Sequence, residues 1–163
     1  METTTLKGYL EEIRDKLGEN NPSLKKYYSW ILDTMQEMTC EELTPEEKKH
    51  IQKIIDVVRN EHPEFPANKE CYYNANLLTC FGKGKVKYVE GWCWDVIPFE
   101  HAWCKYKGKC FDPTALWNER WHKDIQYFGR QIPFKQLVKL AFEDKMHEIV
   151  SIIGKLYREE CLE

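Results

Sequence analysis

The stretch Glu100-His-Ala-Trp-Cys-Lys-Tyr-Lys-Gly-Lys-Cys-Phe-Asp-Pro-Thr114 decides how the middle of the chain folds, because it encodes a tight hairpin. Two strand-like runs flank Lys107-Gly108, and the glycine supplies the positive φ that a two-residue turn requires. Such a turn pairs Trp103 with Asp112, so that His101, Trp103 and Asp112 share one face of the sheet. His101 and Asp112 then become diagonal neighbours within side-chain reach. A three-residue turn would instead place these two residues on opposite faces.

A cysteine upstream of the hairpin supplies the third chemical group. In Lys69-Glu-Cys-Tyr-Tyr-Asn-Ala75, the turn-like residues 66–70 precede a predicted helix over 72–81, which places Cys71 at the helix N-terminus. The positive end of the helix dipole stabilises a thiolate there, and the backbone N–H groups can receive an oxyanion. A thiol, an imidazole and a carboxylate in one site can form a thiolate–imidazolium pair held by the acid, as acyl transfer requires. Cys71, His101 and Asp112 are therefore the predicted catalytic residues.

The flanking segments are predicted to be helical. Apolar residues recur at helical spacing over residues 1–62, including a stripe that runs from Leu24 to Met38, and again over 133–163. Residues 86–94, 102–106 and 109–112 have the aromatic and β-branched composition of strands, whereas 116–130 is expected to be mostly loop. We predict one domain over 1–163 with an α+β fold. A small antiparallel sheet packs on the central helix that carries the nucleophile, and further helices lie at both ends.

The composition of the chain argues against nucleic-acid binding and against membrane association. The net charge is −3, which gives no basic footprint for nucleic acid or for an anionic membrane. The lysine-rich stretch 82–87 is interpreted as a solvated loop rather than a phosphate groove. We see neither a signal peptide nor an apolar run of membrane-spanning length. Seven cysteines, an odd number, favour free thiols in a reducing compartment, so a cytoplasmic protein is expected.

Four short motifs, in this order and at this spacing, resemble the transglutaminase-like superfamily of papain-like cysteine enzymes. They begin at Cys71-Tyr-Tyr-Asn-Ala, Tyr88-Val-Glu-Gly-Trp, His101-Ala-Trp and Asp112-Pro-Thr, and the resemblance covers about residues 66–117. It implies that Cys71 is the nucleophile, that His101 is the base and that Asp112 orients His101. Members of the superfamily act as peptidases, amidases, deamidases, peptide-N-glycanases and acyl transferases, and some have lost catalysis. The resemblance thus implies a reaction class rather than a particular substrate, and we expect a protein or peptide as the substrate or partner.

Four further residues are candidates for binding the substrate. Asn68, Asn74 and Trp92 are candidate oxyanion donors, and Trp92 and Trp103 could line a cleft or belong to the core. We expect no cofactor, and we see no calcium loop. Two alternatives remain open. One is a non-catalytic binding or inhibitor module, for example one encoded by a phage, that uses the same cleft. The other is a zinc site built from Cys93, His101, Cys104 and Cys110, although these lack the spacing of structural zinc ligands.

Overall fold

The computed structural model describes residues 5–115, 125–142 and 151–162, and it confirms the α+β fold. The helices are α1 (Leu6–Gly18), α2 (Pro22–Thr34), α3 (Pro45–Glu61), α4 (Cys71–Phe81), α5 (Phe134–Phe142) and α6 (Ile153–Cys161). The strands are β1 (Gln36–Met38), β2 (Val86–Trp94), β3 (Pro98–Tyr106), β4 (Lys109–Phe111) and β5 (Gln126–Ile132). All strand pairs are antiparallel, in the order β1-β5-β2-β3-β4.

Side-chain caps fix where the N-terminal helices begin. The side chain of Asn21 accepts hydrogen bonds from the backbone of residues 23 and 24 at the start of α2. Thr44 and Glu47 form a reciprocal capping box at the start of α3, and Pro45 occupies the first turn, where its missing N–H costs nothing. These caps satisfy backbone N–H groups that the first turn of each helix leaves without an intrahelical partner.

Two strands differ from the predictions. The stripe from Leu24 to Met38 was expected to be helical throughout, but α2 ends at Thr34 and Gln36–Met38 forms β1. The expected loop over 116–130 is wrong from residue 126 onward, because Gln126–Ile132 is a strand between β1 and β2; residues 116–124 lie outside the described part. The pairing of β5 with β2 brings the two backbones unusually close at Gly91, because a Cβ there would lie 2.2 Å from the carbonyl oxygen of Phe128.

The two faces of the sheet bury different clusters. One face packs against the helices, and Ala75 and Leu78 of α4 lie in the same core cluster as Tyr88 and Ala102. The other face buries a smaller cluster built from Cys40, Val89, Cys93, Trp103, Cys110, Ile125 and Tyr127. β4 pairs with β3 only as far as Phe111 and Cys104. From Trp103 to His101, β3 therefore lies at an edge of the sheet beside the segment that follows β4.

Candidate functional site

The hairpin brings His101 and Asp112 together as the sequence predicts. Lys107 and Gly108 form a two-residue turn with φ values of 48° and 87°. The observed register pairs Tyr106 with Lys109 and Cys104 with Phe111. The Nε2 atom of His101 lies 2.6 Å from Oδ2 of Asp112, and the two residues are only 3% and 4% exposed.

The orientation of each partner is fixed by its neighbours. Oδ1 of Asp112 accepts a hydrogen bond from the backbone N–H of Thr114 at 2.8 Å, which leaves Oδ2 directed at the imidazole. The indole of Trp103 stacks nearly parallel to the His101 ring, with centroids 6.2 Å apart, and Phe99 packs against the ring edge-on at 5.6 Å. The imidazole therefore has little freedom to rotate away from the acid.

Cys71 is the first residue of α4 and is partly exposed, unlike its two partners. Lys69, two residues earlier, has a φ of 63°, a left-handed conformation that turns the chain sharply into the helix. The N-cap residue Glu70 makes no side-chain hydrogen bond to the first turn of α4. The first backbone N–H groups of the helix are therefore not satisfied by that side chain and point in the direction that suits an incoming oxyanion.

The three groups interact electrostatically. Burial of the His101 imidazole lowers its pKa, but the charge and hydrogen bond of Asp112, together with a hydrogen bond to Cys71, outweigh burial and raise the pKa above its ordinary value. With Nε2 bonded to Asp112, proton exchange between the imidazole and the sulfur would involve the other ring nitrogen, Nδ1. A raised imidazole pKa favours an imidazolium beside a thiolate. The arrangement can therefore activate a nucleophile and later protonate a leaving group.

Asn74 is not available to a substrate, which corrects one prediction. It is fully buried in α4, and its amide is bonded to both backbone groups of Ala67, each at 2.8 Å, and to Oγ1 of Thr114 at 3.1 Å. The backbone N–H of Thr114 in turn donates a hydrogen bond to Oδ1 of Asp112. Asn74 thus connects the segment before Cys71 to the turn that orients the acid, a positioning role that the isolated motif did not reveal.

The three remaining candidates occupy different environments. Trp103 is fully buried behind the His101 ring, so the prediction that it lines a cleft is wrong and its alternative, a core position, is correct. Trp92 is partly exposed and lies 6.3 Å from the ring of Tyr28. Asn68 is exposed, three residues before Cys71. Of the four candidate substrate-binding residues, Asn68 and Trp92 are therefore the two that a ligand could reach.

A buried acid near the site was missed. Glu90 in β2 is fully buried and accepts hydrogen bonds from the Tyr88 hydroxyl, from Ser151 and from the backbone N–H of Ile152 at the start of α6. Burial raises the pKa of Glu90 to about 7, even though its hydrogen bonds favour the charged form. The signal was present in the sequence, since an acid in the middle of an otherwise apolar strand requires a buried partner.

The geometry does not support the zinc alternative. His101 and Cys104 lie on opposite faces of β3, and the thiol of Cys104 points to the carbonyl oxygen of Ala75 at 3.6 Å. Within residues 5–115, 125–142 and 151–162, no group of three or more histidine, cysteine or acidic side chains is arranged to hold a metal ion.

Compared with known proteins, the chain matches no family model, no curated protein and no solved structure. Among the described helices, none combines the length and apolar composition needed to cross a bilayer. A functional assignment therefore depends on the chemistry of Cys71, His101 and Asp112 themselves.

Proposed function

We propose that the protein catalyses thiol-dependent acyl transfer at amide bonds of a protein or peptide, with Cys71 as nucleophile, His101 as acid and base, and Asp112 as the residue that orients His101. The observation that carries the proposal is the buried 2.6 Å contact between His101 and Asp112. Cys71 also contributes, after Asp112, to the raised pKa of the same imidazole. The proposed membership in the transglutaminase-like superfamily agrees with this order of residues.

In the proposed mechanism, the Cys71 thiolate attacks the carboxamide carbon while His101 holds the proton. The backbone N–H of Cys71 and a second donor stabilise the tetrahedral oxyanion. Asn68 and Trp92 are the candidates for that second donor, since the Asn74 amide is engaged. The C–N bond then breaks, His101 protonates the departing amine, and a thioester remains on Cys71. Water activated by His101 hydrolyses the thioester, which releases the acid and regenerates the thiol.

Hydrolysis is favoured over cross-linking, because water is the default acceptor for a partly exposed thioester. We also place the protein in the reducing environment of the cytoplasm, because all seven cysteines are free and four of them are buried. We propose a protein or peptide, rather than a nucleic acid, as the substrate because the net charge is −3.

The test uses p-nitrophenyl acetate, an activated acyl donor that requires no specific substrate pocket. We expect a burst of p-nitrophenolate and an acetyl group on Cys71 detected by peptide mass spectrometry. His101→Gln should slow the burst about 100-fold or more. Cys71→Ala should abolish it while the far-UV circular dichroism spectrum stays unchanged. A burst that persists in Cys71→Ala, or a wild-type protein that is acetylated no faster at Cys71 than at the exposed Cys161, would instead favour a non-catalytic binding module.

A further inference from the structure

The structure gathers six lysines around one cavity at the far end of α4. The cavity has a volume of about 1000 Å³, and its basic lining residues come from α3, from the loop after α4, from β2 and from the β3–β4 hairpin. They are Lys53, Lys83, Lys85, Lys87, Lys105 and Lys107. Among the residues that the structure describes, neither Asp nor Glu lines this cavity. Among the described residues, none of the six lysines forms an ion pair.

This concentration of charge is unusual for a protein whose net charge is −3. The carboxyl end of α4 attracts cations, but a helix end is equivalent to only about half an elementary charge, so it does not account for six lysines. Like charges held around one concave surface repel each other, and this repulsion lowers the stability of the unliganded protein. An anion that enters the cavity would relieve the repulsion.

A smaller apolar pocket adjoins the basic cavity. It has a volume of about 370 Å³, is lined by Ile54, Val57, Cys80 and Phe81, and shares Lys53 and Lys83 with the larger cavity. Val57 is 50% exposed there, which is high for a large aliphatic side chain. The two spaces together offer cationic groups at one end and an apolar surface at the other. This combination suits a ligand with several phosphates and a flat ring.

We infer that this cavity, called here the lysine cleft, binds a compact polyphosphate ester such as a nucleoside triphosphate. The lysines would contact the phosphates as point charges, and the ring would lie against Ile54 and Phe81. The volume of about 1000 Å³ lies at the upper end of the range for small-molecule sites. A long nucleic acid is disfavoured, because the protein is acidic overall and the six lysines surround a single concavity.

The lysine cleft is separate from the candidate active site. α4 has 11 residues, with Cys71 at its first position and Phe81 at its last, so its two ends are about 16 Å apart. A ligand in the cleft would not contact Cys71, and the binding test does not depend on whether the protein is an enzyme.

The test titrates the intact protein with ATP, inorganic tripolyphosphate and adenosine by isothermal calorimetry at low salt. We expect ATP to bind more tightly than tripolyphosphate, adenosine not to bind, and affinity to fall as salt screens the lysines. Saturating ATP should also raise the thermal midpoint, as expected for a ligand that binds only the folded state.

A matched pair of variants separates the cleft from general charge effects. Lys85→Gln/Lys105→Gln removes two charges from the cleft and should weaken ATP binding about tenfold or more, since each lost phosphate contact is charge-assisted. Lys7→Gln/Lys26→Gln removes two exposed charges outside the cleft and should leave the affinity within about twofold. Both double variants should keep the wild-type circular dichroism spectrum. Absence of ATP binding, equal losses in the two double variants, or binding of a poly-glutamate peptide in place of ATP would overturn the inference.

Discussion

Asp112 sets the protonation behaviour of the candidate site. Its carboxylate keeps the neighbouring imidazole charged despite burial, because it supplies both a nearby negative charge and a hydrogen bond. The folded-state pKa of His101 is raised, so its contribution to stability is complete below the unfolded value of about 6.5 and is lost as the pH rises through the folded value. The charge state of His101 at neutral pH therefore depends chiefly on Asp112, and Cys71 makes a smaller contribution.

The variant Asp112→Asn tests this dependence. The asparagine Oδ1 can still accept the N–H of Thr114, but its amide donates to Nε2 and so favours the uncharged imidazole. We expect the His101 pKa to fall below its wild-type value, as measured by the pH titration of its ring resonances in NMR spectra. The ring resonances of His50, which lies in a different part of the fold, serve as the control. An unchanged titration of His101 would contradict the role given to Asp112.

At the scale of single residues, the sequence predicts the candidate catalytic residues better than the side chains that hold them in place. Cys71, His101 and Asp112 stand out because their residue types fit one reaction and their spacing fits one hairpin. The buried role of Asn74 is not visible in the sequence, since it depends on Thr114, 40 residues away. The burial of Trp103 behind His101 is not visible in the sequence either. The strand register predicts that the two residues share a face, but it does not predict how deeply that face is buried.

At the scale of helices and strands, local sequence signals predicted the hairpin but not the elements that depend on distant residues. The hairpin was predictable in detail because two residues, Lys107 and Gly108, fix the turn type, and the turn fixes the register. β5 was missed because its position between β1 and β2 depends on pairing with strands more than 30 residues away. The lysine cleft was missed for a similar reason, since residues 82–87 supply only part of its charge and the rest comes from α3 and the hairpin.

The contact between β2 and β5 provides a prediction at this scale. Gly91 pairs with His101 on one side and with Gly129 on the other, and an added Cβ would lie 2.4 Å from the Cα of Gly129. Gly91→Ala should therefore reduce the free energy of unfolding by about 1–3 kcal/mol, as overpacking does. Urea denaturation followed by tryptophan fluorescence measures the change.

Gly154 in α6 is the matched control for this variant. Among the described residues, none outside its own helix and chain neighbours has an atom within 4 Å of a Cβ added at Gly154. Gly154→Ala should therefore leave stability unchanged or raise it by up to about 1 kcal/mol through helix propensity. Equal losses of unfolding free energy in Gly91→Ala and Gly154→Ala would contradict the explanation that the close approach of β2 and β5 excludes a side chain at position 91.

At the scale of the whole molecule, Glu90 joins the sheet to the C-terminal helix. Its carboxylate lies at the N-terminus of α6, where Ile152 and Ile153 donate their backbone N–H groups at 3.0 Å and 3.3 Å. Burial raises the pKa of Tyr72, the neighbour of Cys71, and the Ser151 side chain of the same segment acts in the opposite direction. Docking of α6 is thereby connected to the surroundings of Cys71.

This buried acid makes stability depend on pH in a predictable direction. The folded-state pKa of Glu90 is about 7, above its ordinary value of 4.5, so the folded chain holds an extra proton between these pH values. The stability contributed by Glu90 therefore falls as the pH rises from about 4.5 to 7, by up to about 3 kcal/mol. Glu90→Gln cannot titrate, and urea denaturation at pH 5 and pH 8 should show a smaller loss than in the wild type. An identical loss in both proteins would contradict this account of Glu90.

The central claim, that His101 activates Cys71, is tested most directly by the rate of iodoacetamide alkylation at pH 6, followed for each cysteine by mass spectrometry. The exposed Cys161 provides an internal reference for alkylation within the same molecule. We predict that Cys71 reacts at least about tenfold faster than Cys161, and that His101→Gln removes this advantage without changing the rate at Cys161. If Cys71 reacts no faster than Cys161, or if its rate does not depend on His101, the claim is wrong.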